Sequence, residues 1–215
     1  MQKYENGLET KRHIYRVAKK LILENGYRKT SISDICKEAH INRNTLYYHY
    51  DSKEEIRNEM LKDFSEKAHY VVNYYCNVPE YESLLSTAVI WYYMLHNAEI
   101  ARFFREAIAQ EDPGQHRPNS QNNWRMAPFY VGRKEEPPVT PVTFWVDGSL
   151  QILEQYWIEN LPQHTHTFTF EEIIEQEVRI TGAMYQIPQE LVDACWTGVK
   201  HYIDIIPFER LHINF

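Results

Sequence analysis

The segment Asn42-Arg43-Asn44-Thr45-Leu46-Tyr47-Tyr48-His49-Tyr50 has the side chains of a surface built to recognise something. A merely solvated helix shows Glu, Lys and Gln; this one shows hydrogen-bond donors and aromatic rings with polar tips. No acidic residue lies between Glu38 and Asp51. A surface that meets phosphates requires that gap, because a carboxylate there would be repelled. The chemistry on offer is recognition of a nucleic-acid duplex, whose major groove of about 12 Å accepts one helix. Arg43 and Asn44, at the helix N-terminus, would reach base edges. An Arg can bind guanine O6 and N7 with two bonds, and an Asn can do the same for adenine. Tyr47, Tyr48 and His49 are better placed for phosphates and thymine methyls, and Thr45 lies on the same exposed face. Lys53 adds a charge for the backbone. Ser31 and Ser33 sit where the N-terminus of the preceding helix would abut a phosphate, aided by free amides and the helix dipole. Core packing is the competing account of the tyrosines. It holds for Tyr50 and in part for Tyr47, but not for Tyr48, since all three cannot face inward on one short helix. For Arg43 the competing account is a solvated surface charge.

Several elements must position these side chains. Ile14, Val17, Ala18, Leu21 and Ile22 follow the helical template, and Gly26 supplies the stop. Ser31 with Asp34 three residues on opens a second, short helix, as a weak variant of the capping box. His40-Ile41-Asn42 breaks that helix, and Asn42 caps a third, from Arg43 to Tyr50, with Leu46 and either Tyr50 or Tyr47 turned inward. Ser52-x-x-Glu55 is a full capping box for a fourth helix that runs to about Cys76, with Pro79 beyond it. Three short helices with a tight turn between the second and third describe a helix-turn-helix unit.

Downstream the pattern stays helical. Leu84, Ala88, Trp91, Tyr92 and Leu95 share a face, as do Ile100, Phe103, Phe104, Ala107 and Ile108. Residues 111–141 hold six prolines and two glycines, which predicts loops with one short helix. A helix follows near 142–160, then amphipathic sets over about 170–186 and 188–206, the last opened by Pro188 in an allowed first-turn position. The fold class expected is all-α: a three-helix helix-turn-helix head at residues 8–68 and a larger helical body at 69–215.

Charge divides along the same line. Residues 1–62 carry 13 Lys and Arg against 9 Asp and Glu, a net of +4; residues 63–215 carry 10 against 21, a net of −11. A basic head on an acidic body suggests that one end meets a polyanion. The three cysteines, Cys36, Cys76 and Cys195, are far apart and odd in number, which argues against a disulfide framework or a zinc knuckle. The N-terminus is too charged for a secretory signal. The longest uncharged stretch, Ser83 to Ala98, is 16 residues, short of the ~20 that cross a bilayer. These features predict a soluble cytoplasmic protein that meets no membrane. No GxGxxG, GxxxxGK[ST], GxSxG or HExxH motif occurs, so no enzyme, cofactor or metal centre is expected. His164-Thr165-His166 is half a metal site at most, with no acidic or Cys ligand at useful spacing.

The stretch from Gly26-Tyr27 through Thr30-Ser31-Ile32-Ser33-Asp34-Ile35 to Asn42-Arg43-Asn44-Thr45-Leu46-Tyr47-Tyr48-His49-Tyr50-Asp51-Ser52-Lys53-Glu54-Glu55 resembles the DNA-binding head of the TetR family of bacterial transcriptional regulators. The Leu-Tyr pair, the aromatic-His-aromatic run and the Lys that enters the fourth helix are its most specific parts. The resemblance covers about residues 8–68. One departure is His40, where the family usually has Gly in the turn.

The resemblance implies a homodimer on double-stranded DNA with a near-palindromic operator, paired through a four-helix interface of the last two helices. It also implies a body that holds a small-molecule effector whose binding changes the spacing of the two heads. Ligand sites are apolar with a few polar anchors. The body aromatics Trp91, Tyr92, Phe103, Phe104, Trp124, Trp145 and Tyr156 are the candidates to line one, although most aromatics there belong to a core. The acidic body favours a cationic or neutral effector over an anionic one. The expected function is a ligand-responsive repressor that reads a specific sequence. The alternatives are control by a partner protein, or an enzyme or carrier that retained the head.

Overall fold

Nine helices follow one another along the described chain: α1 (Gln2–Asn25), α2 (Ile32–Glu38), α3 (Arg43–His49), α4 (Lys53–Tyr75), α5 (Glu82–His96), α6 (Ala98–Ile108), α7 (Pro141–Asn160), α8 (Phe170–Met184) and α9 (Gln189–Ile205). The computed structural model describes residues 2–109, 125, 127–133, 141–160 and 167–211, and among these there is no strand. Single 3-10 turns lie at Pro79–Tyr81, Ala127–Tyr130 and Phe208–Arg210.

In the head, Ile14, Ala18 and Ile22 of α1 are buried against Ile35 of α2, Leu46 of α3 and Ile56 of α4. Gly26 ends α1 at a φ of 96°, a left-handed backbone that glycine adopts without a Cβ clash. The buried Thr30 hydroxyl then donates to the Gly26 carbonyl at 2.8 Å, which closes the α1–α2 loop. The Ser31–Asp34 capping box of α2 is complete. The Asp34 amide donates to Ser31 Oγ, and the Ser31 amide donates to Asp34 Oδ2 at 2.9 Å. The box expected at Ser52–Glu55 is only half made. Ser52 Oγ accepts from the Glu55 amide, but the longer Glu side chain reaches one residue further back and accepts from the Asp51 amide at 2.7 Å.

The turn between α2 and α3 is a Schellman motif. The Ile41 amide donates to the Cys36 carbonyl at 3.0 Å and the His40 amide to the Lys37 carbonyl at 3.3 Å, with His40 at a φ of 53°. The left-handed conformation expected for a glycine is therefore adopted by a histidine. That conformation costs a non-glycine residue roughly 1–2 kcal/mol, while glycine's extra unfolded-state freedom costs about 0.5–1 kcal/mol. His40→Gly is expected to stabilise the fold by up to about 1 kcal/mol and raise the thermal midpoint by roughly 2–4 °C. A lower midpoint in a melting experiment would show that the imidazole itself contributes to the turn.

Helix α4 runs without a break through residue 68, the expected boundary between head and body. Ile56 and Met60 pack in the head, Phe64 stacks on Phe103 (5.6 Å) and meets Phe104 edge-on (5.2 Å), and Ala68 and Val72 are buried further along. Helix α6 also grips the head. Arg102 donates to the Leu23 carbonyl at the end of α1, and the Arg28 amide donates to Glu106 at 2.9 Å.

Helices α8 and α9 form an antiparallel pair. A second left-handed non-glycine residue, Gln186 (φ 56°), turns the chain between them, and the Ile187 amide donates to the Gly182 carbonyl at 2.8 Å. Pro188 stands just before α9, as its N-cap, and not in the first turn as expected; α9 proper begins at Gln189. A helix was expected near 142–160, and α7 occupies 141–160. The prediction for residues 111–141 and the His164-Thr165-His166 pair fall largely outside the described residues, and a 3-10 turn at Ala127–Tyr130 is the described exception.

Candidate nucleic-acid interface and effector pocket

Helix α3 is anchored from beneath and bare on top. Leu46 and Tyr50 are fully buried; Tyr47 is 48% exposed and Tyr48 is 82% exposed. Tyr47 thus takes no inward position, and the helix ends at His49, with Tyr50 as an extended C-cap whose ring enters the core. The helical period explains the split. Leu46 and Tyr50 are four residues apart and share a face, while Tyr47 and Tyr48 fall roughly 100° and 200° round from Leu46. Asn42, Arg43 and Asn44 are exposed, and Thr45 and His49 are half-buried beside them. Tyr48 and His49 meet edge-on with centroids 5.0 Å apart.

Several of these side chains hold their own scaffold. Asn42 Oδ1 caps α3, accepting from the Thr45 amide (2.9 Å) and hydroxyl (3.1 Å). Arg43 donates to Ser33 Oγ, which ties α3 to α2 across the turn and fixes the guanidinium over the face both helices share. Ser31 Oγ is committed to the α2 cap, so the first-turn amides left over for an anion are those of Ile32 and Ser33. The Ser31 hydroxyl and amide hold the exposed Asp34 carboxyl below its ordinary range. That places one carboxylate at the edge of the face, outside the acid-free segment noted in the sequence.

Lys53 has a role that spacing alone did not reveal. Its ammonium donates to the Tyr27 carbonyl (2.9 Å) and the Thr30 carbonyl (3.0 Å) and lies 4.2 Å from the centre of the Tyr27 ring. It clamps the loop that delivers α2, and one of its three N–H donors is left for a phosphate. Lys53→Ala is expected to weaken binding to every duplex by a similar factor and to lower the slope of log K against log salt by about one. It should also lower the melting temperature, because two charge-assisted hydrogen bonds disappear. A changed base preference in a binding-site selection would contradict this division of roles.

The body aromatics separate into groups. Trp91 lines a cleft of about 340 Å³ between α5, α7 and α8, together with Leu150, Leu153, Trp157, Phe168 and Ile173. Phe103 and Phe104 do not line it; Phe103 stacks on Phe64 and Phe104 meets it edge-on, in the core that joins head to body. Tyr92 does not line it either, because it stacks on His96 at 4.2 Å and packs against Phe170 and Phe208. Tyr156 is 64% exposed on the outer face of α7. Trp124 and the side chain of Trp145 lie outside the described residues. Sequence reading missed Phe168, which faces Trp157, another of the body aromatics, edge-on at 5.7 Å, and no periodicity could have paired them.

Behind the cleft, Arg125 makes a two-pronged ion pair with Glu154 (2.6 and 3.0 Å), while Glu177 stays 3.9 Å from the same guanidinium. Burial pushes the Glu177 carboxyl up to about 8, the Glu154 charge adds to the rise, and Arg125 opposes it. Among the described residues no group of His, Cys, Asp and Glu has the geometry of a metal site, and no helix is long and apolar enough to cross a membrane.

Residues 14–60 match the family described as Bacterial regulatory proteins, tetR family. The matched span runs from α1 to α4 and contains all of α2 and α3. Over 36 residues the chain is 53% identical to the Biofilm operon icaADBC HTH-type negative transcriptional regulator IcaR of Staphylococcus epidermidis. That match covers 17% of this chain and 20% of that protein.

Proposed function

Since the N-terminal head of this chain belongs to the tetR family of bacterial regulatory proteins, we propose that the protein is a sequence-specific, DNA-binding transcriptional repressor that acts as a homodimer and responds to a small-molecule effector. The observation that carries the reading is the outer face of α3. Arg43, Asn44, Tyr47 and Tyr48 stand exposed on a helix locked to the core by Leu46 and Tyr50. Arg43 and Asn44 read base edges, while Tyr47, Tyr48 and His49 meet phosphates and thymine methyls. Repression is favoured because it needs only tight occupation of a promoter, and the similar staphylococcal protein is named as a negative regulator.

The dimer forms through α8 and α9. Their outward faces carry Ala183 on one helix and Ala194, Thr197 and Ile205 on the other, small enough for close helix packing. Two heads about 34–36 Å apart then read a near-palindromic operator. A route for the effector is available in the packing. The cleft borders α7, α7 packs on α6, and α6 holds the end of α1 through Arg102 and Glu106. An effector that favours another head spacing weakens DNA binding by the coupling free energy, typically ~1–3 kcal/mol.

The test is to select duplex fragments from a random pool with the purified protein, with and without cell extract, and sequence them. Enrichment of an inverted repeat with half-sites about one helical turn apart supports the reading. A flat pool at low salt, or sedimentation near the 25.8 kDa of a single chain at working concentration, overturns it.

A further inference from the structure

Helix α7 is apolar on more than one side. Val146 and Leu150 are buried, and Ile158 packs against the core. Leu153 and Trp157, one turn apart, edge the cleft shared with α5 and α8. Ile152 and Tyr156 form a further stripe, roughly 100° round the helix from that pair, and both stand in water. A helix with apolar residues on several sides is normally enclosed. Phe168, just before α8, meets Trp157 edge-on, and Ile180 of α8 borders the same cleft. Among the described residues twelve large apolar side chains are exposed, and Ile152, Leu153, Tyr156, Trp157, Phe168 and Ile180 make half of them. These six are 37–66% exposed. On the scale of about 150–250 Å² for a large ring, and less for Ile and Leu, they leave roughly 600 Å² in water. That is the upper end of the largest apolar patch on an ordinary monomer, about 300–600 Å².

The face shared by α8 and α9 has the opposite character. Arg179 pairs with Glu175 (2.7 Å) and with Asp193 (3.4 Å), which ties the two helices together. Lys200 of α9 pairs with Glu171 of α8 (3.0 Å) and with Asp204. Charged side chains are depleted at the centre of a protein interface and collect at its polar rim. With the small Ala183, Ala194 and Thr197 between them, these ion pairs suit a close-packed edge and supply no apolar centre.

We propose that the exposed edge of α7, from Ile152 to Trp157 together with Phe168 and Ile180, is the apolar centre of the contact with a second copy of this chain. The inference rests on the homodimer reading above and adds α7 to the two helices named there. Area supports this occupant. A symmetric contact uses the patch twice and buries roughly 1,200 Å², the lower bound of a specific, stable interface, and the α8–α9 edge then carries it above that bound. Charge supports it too. Residues 63–215 carry a net of −11, so two copies of the body repel one another and can meet only over a surface free of carboxylates. All six side chains of the patch are uncharged, whereas the α8–α9 face is laced with acidic groups.

Sedimentation equilibrium of the full chain over a range of concentrations tests it, without DNA. The wild type is expected at twice the 25.8 kDa of one chain. Ile152→Lys and Tyr156→Lys should each raise the dimer dissociation constant at least a hundredfold, because truncating or charging a buried centre costs far more than changing a rim. Both sites are exposed in the single chain, so helical circular dichroism should be unchanged. Arg179→Gln, on the α8–α9 face, should raise the constant less than tenfold. Hydroxyl-radical footprinting of the wild type gives a second readout that needs no variant. Tyr156 and Trp157 should be protected above the dissociation constant and oxidised below it, while Tyr48, exposed on α3, reacts equally at both concentrations. A dimeric wild type whose α7 variants stay dimeric, or equal oxidation of Tyr156 at both concentrations, overturns the inference alone and leaves the α7 face for a different partner. A wild type that stays monomeric at every concentration overturns the homodimer reading itself, and the inference with it.

Discussion

Arg43→Ala is expected to weaken the complex with the selected operator by about 1–3 kcal/mol, close to tenfold or more in Kd, and to flatten discrimination at one base position in each half-site. The guanidinium is exposed at the start of α3 and held over the face shared with α2 by its bond to Ser33. In the proposed complex its fork would enter the groove already oriented, and little rotamer freedom would be lost on binding. Affinity for an unrelated duplex should fall much less, because phosphate contacts from the rest of the head persist. Arg43→Lys should not restore base discrimination, since an ammonium cannot match guanine O6 and N7 with a planar pair of donors. Competition assays against a set of single-base operator variants check this. A loss of the same size on every sequence would make Arg43 a backbone contact and would move base reading to Asn44.

The second large effect concerns stability. Glu177 holds its proton far more tightly in the folded chain than a solvated glutamate does, chiefly because it is buried. Below about pH 4.5 it is neutral in both states and neutral to stability. As pH rises past that value the unfolded chain releases the proton and the folded chain keeps it, so the folded state loses ground until about pH 8, where the loss levels off. Glu177→Gln removes the ionisation while preserving size. At pH 9 it is expected to stabilise the free protein by roughly 3–5 kcal/mol, and near pH 4.5 by almost nothing. Urea unfolding at the two pH values checks it. A stabilisation that is the same at both would assign the effect to packing and not to charge.

The head was legible because its signals are local. Ser31, Asn42 and Ser52 each cap the helix that follows, and Gly26 stops α1 where it was expected to. Leu46 and Tyr50 point inward because one helical turn separates them. His40 adopts the left-handed turn for which its sequence position called. The misreading in this region concerns reach: Glu55 extends past Ser52 to the Asp51 amide. The choice left open between Tyr50 and Tyr47 as the inward ring falls to Tyr50, one helical turn from Leu46.

The body resisted reading because its decisive contacts join distant residues. Phe103 and Phe104 share their helical pattern with any core or pocket face, and only the approach of Phe64 from α4 assigns them to the core. Trp157 and Phe168 lie on α7 and just before α8, and they become one wall when those helices meet.

The amino-acid order by itself determined the helix-turn-helix head, the exposed face of α3 and the basic–acidic division of the chain, since helix period, capping and net charge act within a few residues or need no geometry at all. Only the tertiary structure decided that Lys53 clamps the Tyr27–Thr30 loop, that Arg102 and Glu106 bind the body to the end of α1, and that Arg125 bonds Glu154 at two points with Glu177 3.9 Å away. Those outcomes depend on distances between side chains tens of residues apart, and it is the packing of whole helices, not any local preference, that sets them.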